Sequence, residues 1–152
     1  METFTLKKIG IIRTPYGDAA AAPVQGHFKP EGRGTVEVFE DYAPGLQDLE
    51  GFSHVTLLYY FHKAESEELA VKPYLDDVRR GVFATRHPHR PNHLGMTTVR
   101  LLERRGNVLA VAGVDMLDGT PLLDIKPFVP LFDQERGSVR CGWLATKISS
   151  PP

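Results

Sequence analysis

The chain has 152 residues and a mass of 16.9 kDa, the size of one ordinary domain rather than two. With 41% hydrophobic and 24% charged residues, it is not the composition of a disordered chain. Eighteen basic and nineteen acidic side chains leave a net charge of −1, which excludes a strongly basic nucleic-acid coat but not a local basic patch. The single cysteine, Cys141, excludes a disulfide framework and any multi-cysteine metal site; its residue type predicts a buried, inert thiol. No apolar run approaches the roughly 20 residues of a spanning helix, and Met1 to Lys8 lacks a signal-peptide core. The expectation is a cytoplasmic protein with no membrane contact.

The predicted elements are mostly strands. Phe4 to Arg13 reads as the first, with the β-branched pair Ile11-Ile12 and Gly10 as a bulge candidate. Thr14-Pro15-Tyr16-Gly17 ends it with turn chemistry. Ala19 to Lys29, interrupted by Pro23 and Gly26, reads as an irregular loop, and Gly34 to Phe39 alternates as a half-buried strand does. Ala43 to Leu49 is a short helical candidate, with Leu46 and Leu49 on one face. Phe52 to Phe61, rich in β-branched and aromatic residues, is a central strand. Glu65 to Tyr74 is a polar surface loop with at most one helical turn, and Gly81 to Thr85 a short strand. Thr97 to Glu103 and Val108 to Met116 flank Arg104-Arg-Gly-Asn107 as a hairpin. Pro121 to Ile125 is one more strand, and the tail from Leu131 ends in a frayed Ser-Ser-Pro-Pro152. Six or seven short strands with little helix predict a mainly β domain, a closed or nearly closed β-barrel or a sandwich, with short helices and long loops. Alternating βαβ units, a Gly-x-Gly-x-x-Gly after a strand and a P-loop are all absent.

Two segments can carry chemistry. In Ala84-Thr-Arg-His-Pro-His-Arg-Pro-Asn-His-Leu-Gly95, Pro88 and Pro91 stiffen the backbone and hold Arg86 and Arg90, whose rigid forks suit a carboxylate or phosphate. The alternative is a solvated basic loop. From Arg79 to Arg105 there are seven arginines against one acid, Glu103. They form either a basic face for an anionic partner or strand ends kept soluble. In Asp115 to Pro127, the carboxylates Asp115, Asp118 and Asp124 lie close to Lys126, and Asp118-Gly-Thr-Pro121 is a turn sequence. Asp124 and Lys126 share a strand face and can pair as ions. His87, His89 and His93 invite a zinc site, but the intervening prolines make joint ligation awkward, so no metal is assigned. His54 and His62 flank an apolar strand and read as packed histidines hydrogen-bonded at one nitrogen.

Four ordered motifs resemble one family. Ile9-Gly-Ile-Ile-Arg-Thr-Pro-Tyr16 is similar to the opening of the TsaA-like family, also called YaeB-like or TrmO, and Leu49-Glu-Gly-Phe-Ser-His54 to its middle motif. Gly81-Val-Phe-Ala-Thr-Arg86, Arg90-Pro-Asn92 and Leu94-Gly95 resemble its longest signature, and Asp118-Gly-Thr-Pro121 with Asp124-Ile-Lys-Pro127 its last. The resemblance runs from residue 4 to about 133 of a single 1–152 domain, with 134–152 as a tail and no additional C-terminal domain. It implies a single-sheeted β-barrel that binds S-adenosylmethionine, forms a homodimer, and methylates N6 of threonylcarbamoyladenosine beside the tRNA anticodon. Cofactor contacts are implied at Pro23, Val24, Gln25, His62, Lys63, Arg86, Asp118, Gly119, Thr120 and Pro121. A general base is required, Asp118 or a histidine, and Arg90 with Arg79 and Arg80 is expected to hold tRNA phosphates. The sequence departs from the pattern at His87, at Asn92-His93-Leu94-Gly95 and at Phe128, where a tyrosine is common. Family members with tRNA activity in bacteria carry a further C-terminal domain. The competing readings are a non-catalytic S-adenosylmethionine-binding module, a methyltransferase with another acceptor, and a histidine-based metallohydrolase.

Overall fold

A computed structural model of the chain describes residues 1–26 and 29–148. Eight strands run in chain order: β1 Gly10–Arg13, β2 Arg33–Val38, β3 His54–Tyr60, β4 Ala70–Val71, β5 Arg80–Gly81, β6 Leu94–Arg105, β7 Val108–Ala112 and β8 Thr120–Pro127. Six of them close a barrel in the order β1-β2-β7-β6-β3-β8, with every pairing antiparallel; β4 and β5 form a separate two-stranded ladder. Closure leaves no edge strand in the barrel itself. Period-two alternation sends Val55, Leu57 and Tyr59 of β3 inward and His54, Thr56 and Leu58 outward. Ile12, Val36, Val99, Leu109, Val111 and Leu122 fill the rest of the interior. Among the described residues no helix is long and apolar enough to cross a membrane.

Several elements differ from their sequence patterns. The strand expected over 4–13 is confined to Gly10–Arg13, because Phe4 and Leu6 alternate correctly but find no partner and stay exposed. Gly10 marks no bulge: it pairs with Val38 and Leu122 and lies so close to the Glu37 carbonyl that a side chain would collide. The bulges fall instead at Leu58/Tyr59 and Leu101/Glu103. The 43–49 helix is two 3-10 segments, Glu40–Leu46 and Leu49–Gly51, broken where Asp48 takes a φ of 72°. Over 65–74 the ordered piece is β4 rather than a helical turn, and the strand expected at 81–85 turns into a 3-10 helix at Val82–Ala84. The β6–β7 hairpin turns on Gly106-Asn107, with Gly106 at φ 59°. Helix α1, Pro130–Asp133, and a 3-10 turn at Gly142–Thr146 follow the barrel. Cys141 is exposed, not buried: the segment that carries it lies outside the core cluster. Ser149 to Pro152, and His27 and Phe28 of the 19–29 loop, lie outside the described residues.

Strand direction decides where chemistry can gather. β1, β3 and β7 end, and β2, β6 and β8 begin, at the same mouth of the barrel. Three connections therefore meet there: 14–32, 61–93 and 113–119. They hold most of the proline-stiffened segment, through His93, and the start of the Asp115 to Pro127 segment, through Gly119.

Candidate functional site

The three connections enclose a cleft of about 340 Å³, within the size range of small-molecule sites. Pro23, Val24 and Gln25 come from the first connection, Phe61, His62, Lys63 and Arg86 from the second, and Asp115, Met116 and Leu117 from the third. Tyr59 and Thr120 contribute from the strands themselves. The proline-stiffened arginine segment and the Asp-rich segment thus meet in one pocket. Arg86 Nη1 donates to Gln25 Oε1 at 3.1 Å, and Lys63 Nζ to the Gly17 carbonyl at 3.3 Å. Both cations therefore stand at the rim without a carboxylate partner among the described residues. Tyr74, also lining the cleft, stacks on His87 with ring centroids 5.3 Å apart.

Asp115 lines this cleft, as does Asp18; the sequence names Asp115 among three neighbouring carboxylates without assigning it a role in the site. Thr97 Oγ1 donates to its Oδ1 at 2.6 Å, the Gly26 amide to its Oδ2 at 2.8 Å, and the Tyr59 hydroxyl lies 3.4 Å from Oδ1. Burial raises its pKa above the ordinary carboxylate value of 3.8, although all three donors oppose that shift. Burial and the Asp115 charge together push the Tyr59 phenol upward as well, so it stays neutral. His62 is displaced the other way, chiefly by burial and then by Lys63, so its imidazole is neutral near pH 7. The signal for Asp115 was present: it follows the apolar run Val108 to Val114 directly, where an acid is pulled towards the core. Gly26 completes the clamp, because a Cβ there would overlap the Gly113 carbonyl oxygen.

Of the Asp118 to Pro121 turn, only Thr120 faces the cleft. The Asp118 carboxylate turns to β1 instead, accepting the Thr14 amide at 3.1 Å and standing 3.9 Å from Arg13. Gly119, at φ 81°, donates its amide to the Ile12 carbonyl, and Pro121 pairs with Ile11. These three residues tie β8 to β1 and set the position of Thr120.

The arginines expected to meet RNA are engaged within the fold. Arg79 donates to the Ala70 carbonyl at 2.6 Å. Arg80 pairs with Asp76 at 2.7 Å and lies over the Trp143 ring; this hydrogen bond holds Asp76 down at about 2. Arg90 donates to the carbonyls of Thr85 and His87 at 2.8 and 3.3 Å, closing the proline loop on itself. The histidines of that loop are engaged separately: His87 Nδ1 accepts the His89 amide, His89 lies 3.4 Å from Glu68, and His93 bonds the Pro88 carbonyl. Among the described residues, no group of three His, Cys, Asp or Glu side chains is arranged to hold a metal. Asp124 and Lys126 pair at 3.1 Å, as their common strand face implied, and His54 Nδ1 bonds the Ser53 hydroxyl at 2.8 Å.

Known proteins share this architecture. A probable S-adenosyl-L-methionine-binding protein of Pyrococcus abyssi is 50% identical over 142 residues, covering 93% of this chain and 77% of that protein. The tRNA (adenine(37)-N6)-methyltransferase of Escherichia coli is 35% identical over 142 residues, covering 86% of this chain and 60% of that enzyme. The crystal structure of TrmO from Pseudomonas aeruginosa superposes with a TM-score of 0.78 at 39% identity, over 93% of this chain and 63% of that one. The chain thus spans about three-fifths of the length of these two bacterial proteins. The family profile described as the tRNA-methyltransferase O N-terminal domain matches residues 11–134. Barrel, motif order and match agree over most of the sequence, and the chain belongs to the tRNA-methyltransferase O N-terminal domain family.

Proposed function

We propose that the chain is an S-adenosylmethionine-dependent methyltransferase acting on N6 of the adenine at tRNA position 37, the activity printed in the name of its Escherichia coli relative, and that its acceptor carries the threonylcarbamoyl group. The observation that carries this reading is the Asp115 carboxylate, which faces, without a cationic partner among the described residues, a small-molecule cleft rimmed by Arg86 and Lys63.

That donor set fits the cofactor. Arg86 and Lys63 suit its carboxylate, Asp115 complements its sulfonium charge, and Pro23, Val24 and Leu117 offer apolar surface to its adenine. Gln25, His62 and Thr120 would supply polar contacts to its ribose, and Asp118, Gly119 and Pro121 hold Thr120 in place from behind. When bound, the cofactor supplies an electrophilic methyl group and a neutral thioether leaving group. The accepting nitrogen is conjugated to a carbonyl and a purine and is a weak nucleophile, so its proton has to be removed as the new N–C bond forms. Asp115 takes that proton. Its elevated pKa makes it a stronger base than an ordinary carboxylate, and it lines the cleft, whereas Asp118 does not. Burial of Tyr59 and Thr97 fixes the Asp115 oxygens and keeps water from competing for the proton.

The proposed assembly is a homodimer in the cytoplasm, where tRNA resides. Its support is the exposure of two large apolar side chains, Leu69 at 72% and Phe83 at 76%, on segments that the Val82 amide and the Leu69 carbonyl join. Methyl transfer is tested with radiolabelled cofactor and tRNA prepared with and without the threonylcarbamoyl group, followed by nucleoside mass spectrometry. Label is expected on the threonylcarbamoylated tRNA alone. Tight cofactor binding with no label on either tRNA would favour a binding module, the role printed in the name of the Pyrococcus abyssi relative.

A further inference from the structure

A second concavity, about 1020 Å³, lies on the outer face of the barrel and meets the cofactor cleft at Gln25 and Arg86, which line both. The hydrogen bond between those two side chains is therefore the partition between the two spaces. The groove's floor is the outward face of β6, β3 and β8, and their register sets out its chemistry. Arg100 stands opposite His54, and Thr98 opposite Thr56, which in turn is opposite Lys126. Thr98 and Thr56 share a hydrogen bond of 2.8 Å. From His54 to Leu58, the β3 residues that line the groove, the strand advances about 13 Å at roughly 3.3 Å per residue, running from the far end of the barrel towards the cofactor mouth.

Charge and aromatic content identify the occupant. Arg100 is exposed and enters no ion pair among the described residues, Lys126 shares only a surface pair with Asp124, and Arg86 guards the mouth end. The acid lining the groove, Asp133, accepts the Val129 amide at 2.8 Å. Phe132, 80% exposed, and Phe128, edge-on to His54, form the wall beyond Lys126. A cationic groove with aromatic faces is the recurring design for single-stranded nucleic acid, with cations on phosphates and rings on bases. We propose that this groove binds the single-stranded RNA flanking the acceptor base, and that the base enters the cofactor cleft past the Arg86–Gln25 partition. The inference rests on the methyltransferase reading above. It moves the RNA contact from Arg79, Arg80 and Arg90, which are engaged within the fold, to Arg100 and Lys126.

The test is the full chain carrying R100E and K126E, with R100Q and K126Q as a milder pair. Neither residue lines the cofactor cleft, so calorimetric affinity for S-adenosylmethionine is expected to match wild type and to report correct folding. Affinity for bulk tRNA, measured by filter binding across a salt series, is expected to fall at least about tenfold. The slope of log affinity against log salt should shrink by about 1.4, from two phosphate contacts at about 0.7 each on a single strand. Unchanged tRNA affinity and slope in both pairs overturns the groove while leaving the methyltransferase reading intact. A changed sedimentation mass with unchanged tRNA affinity also overturns it, assigning the face to contact between copies of the chain. Failure of the wild-type chain to bind or methylate tRNA removes the underlying reading as well.

Discussion

Replacing Asp115 by asparagine is expected to lower kcat for methyl transfer by about 10²–10⁴-fold, the usual contribution of a positioned general base. The amide is nearly isosteric, so the loss cannot be assigned to volume. Its oxygen can still accept from Thr97, but its NH₂ group would face the Gly26 amide, donor against donor. Two pH measurements separate the roles of the carboxyl. Burial raises its folded pKa above 3.8, so activity in the wild type should climb through a limb lying above the ordinary carboxylate range, and the asparagine variant should lack that limb. Stability runs in the opposite sense. A raised folded pKa contributes stability at low pH, below the unfolded value, and that contribution is lost as pH rises through the folded value. Chemical denaturation should therefore find wild type losing stability relative to the asparagine variant over that interval. A pH–rate profile identical in the two proteins would remove Asp115 from proton transfer.

The second large effect is expected at Gly26. A methyl group there collides with the Gly113 carbonyl, and the movement that relieves the clash breaks the amide bond to Asp115. A hydrogen bond to a charged group contributes about 1.5–3 kcal/mol, and every 1.4 kcal/mol is tenfold in affinity. Gly26→Ala should therefore weaken S-adenosylmethionine binding by roughly 10–100-fold, because Pro23, Val24 and Gln25 are displaced together. Of this connection, Tyr16 belongs to the barrel core and Ala22 packs against it, while Gly26 and the cleft-lining Pro23 to Gln25 lie outside the core cluster, so thermal unfolding should stay cooperative. A variant with wild-type affinity would mean that the loop is not held by this clamp.

The barrel was legible because period-two alternation records which side chains face inward: Val55, Leu57 and Tyr59 against His54, Thr56 and Leu58. The strand over-read at 4–8 had the same alternation without a neighbour to pair with, and pairing is a long-range property that local pattern does not carry. Arg86 lines one cleft with Pro23 to Gln25, His62 and Lys63, residues that the family resemblance groups together. Asp118 sits in the conspicuous turn and serves as a strand clasp, while Asp115, three residues earlier, faces the pocket. The arginine-rich stretch suggested a basic face because sequence separates it from the acids. Folding brings Arg80 back to Asp76 and turns Arg79 and Arg90 onto backbone carbonyls. Cys141 is exposed although its residue type is usually buried, because residue type says nothing about a segment packed outside the core.

Arg86 and Asp115 line a single pocket at the barrel mouth, the proposed seat of one sulfonium nucleotide. Isothermal titration of S-adenosylmethionine into wild type and Arg86→Ala tests it most directly. Saturable binding to wild type, weakened about tenfold or more in the variant, is the predicted result; no binding to wild type, or equal affinity in both proteins, would contradict it.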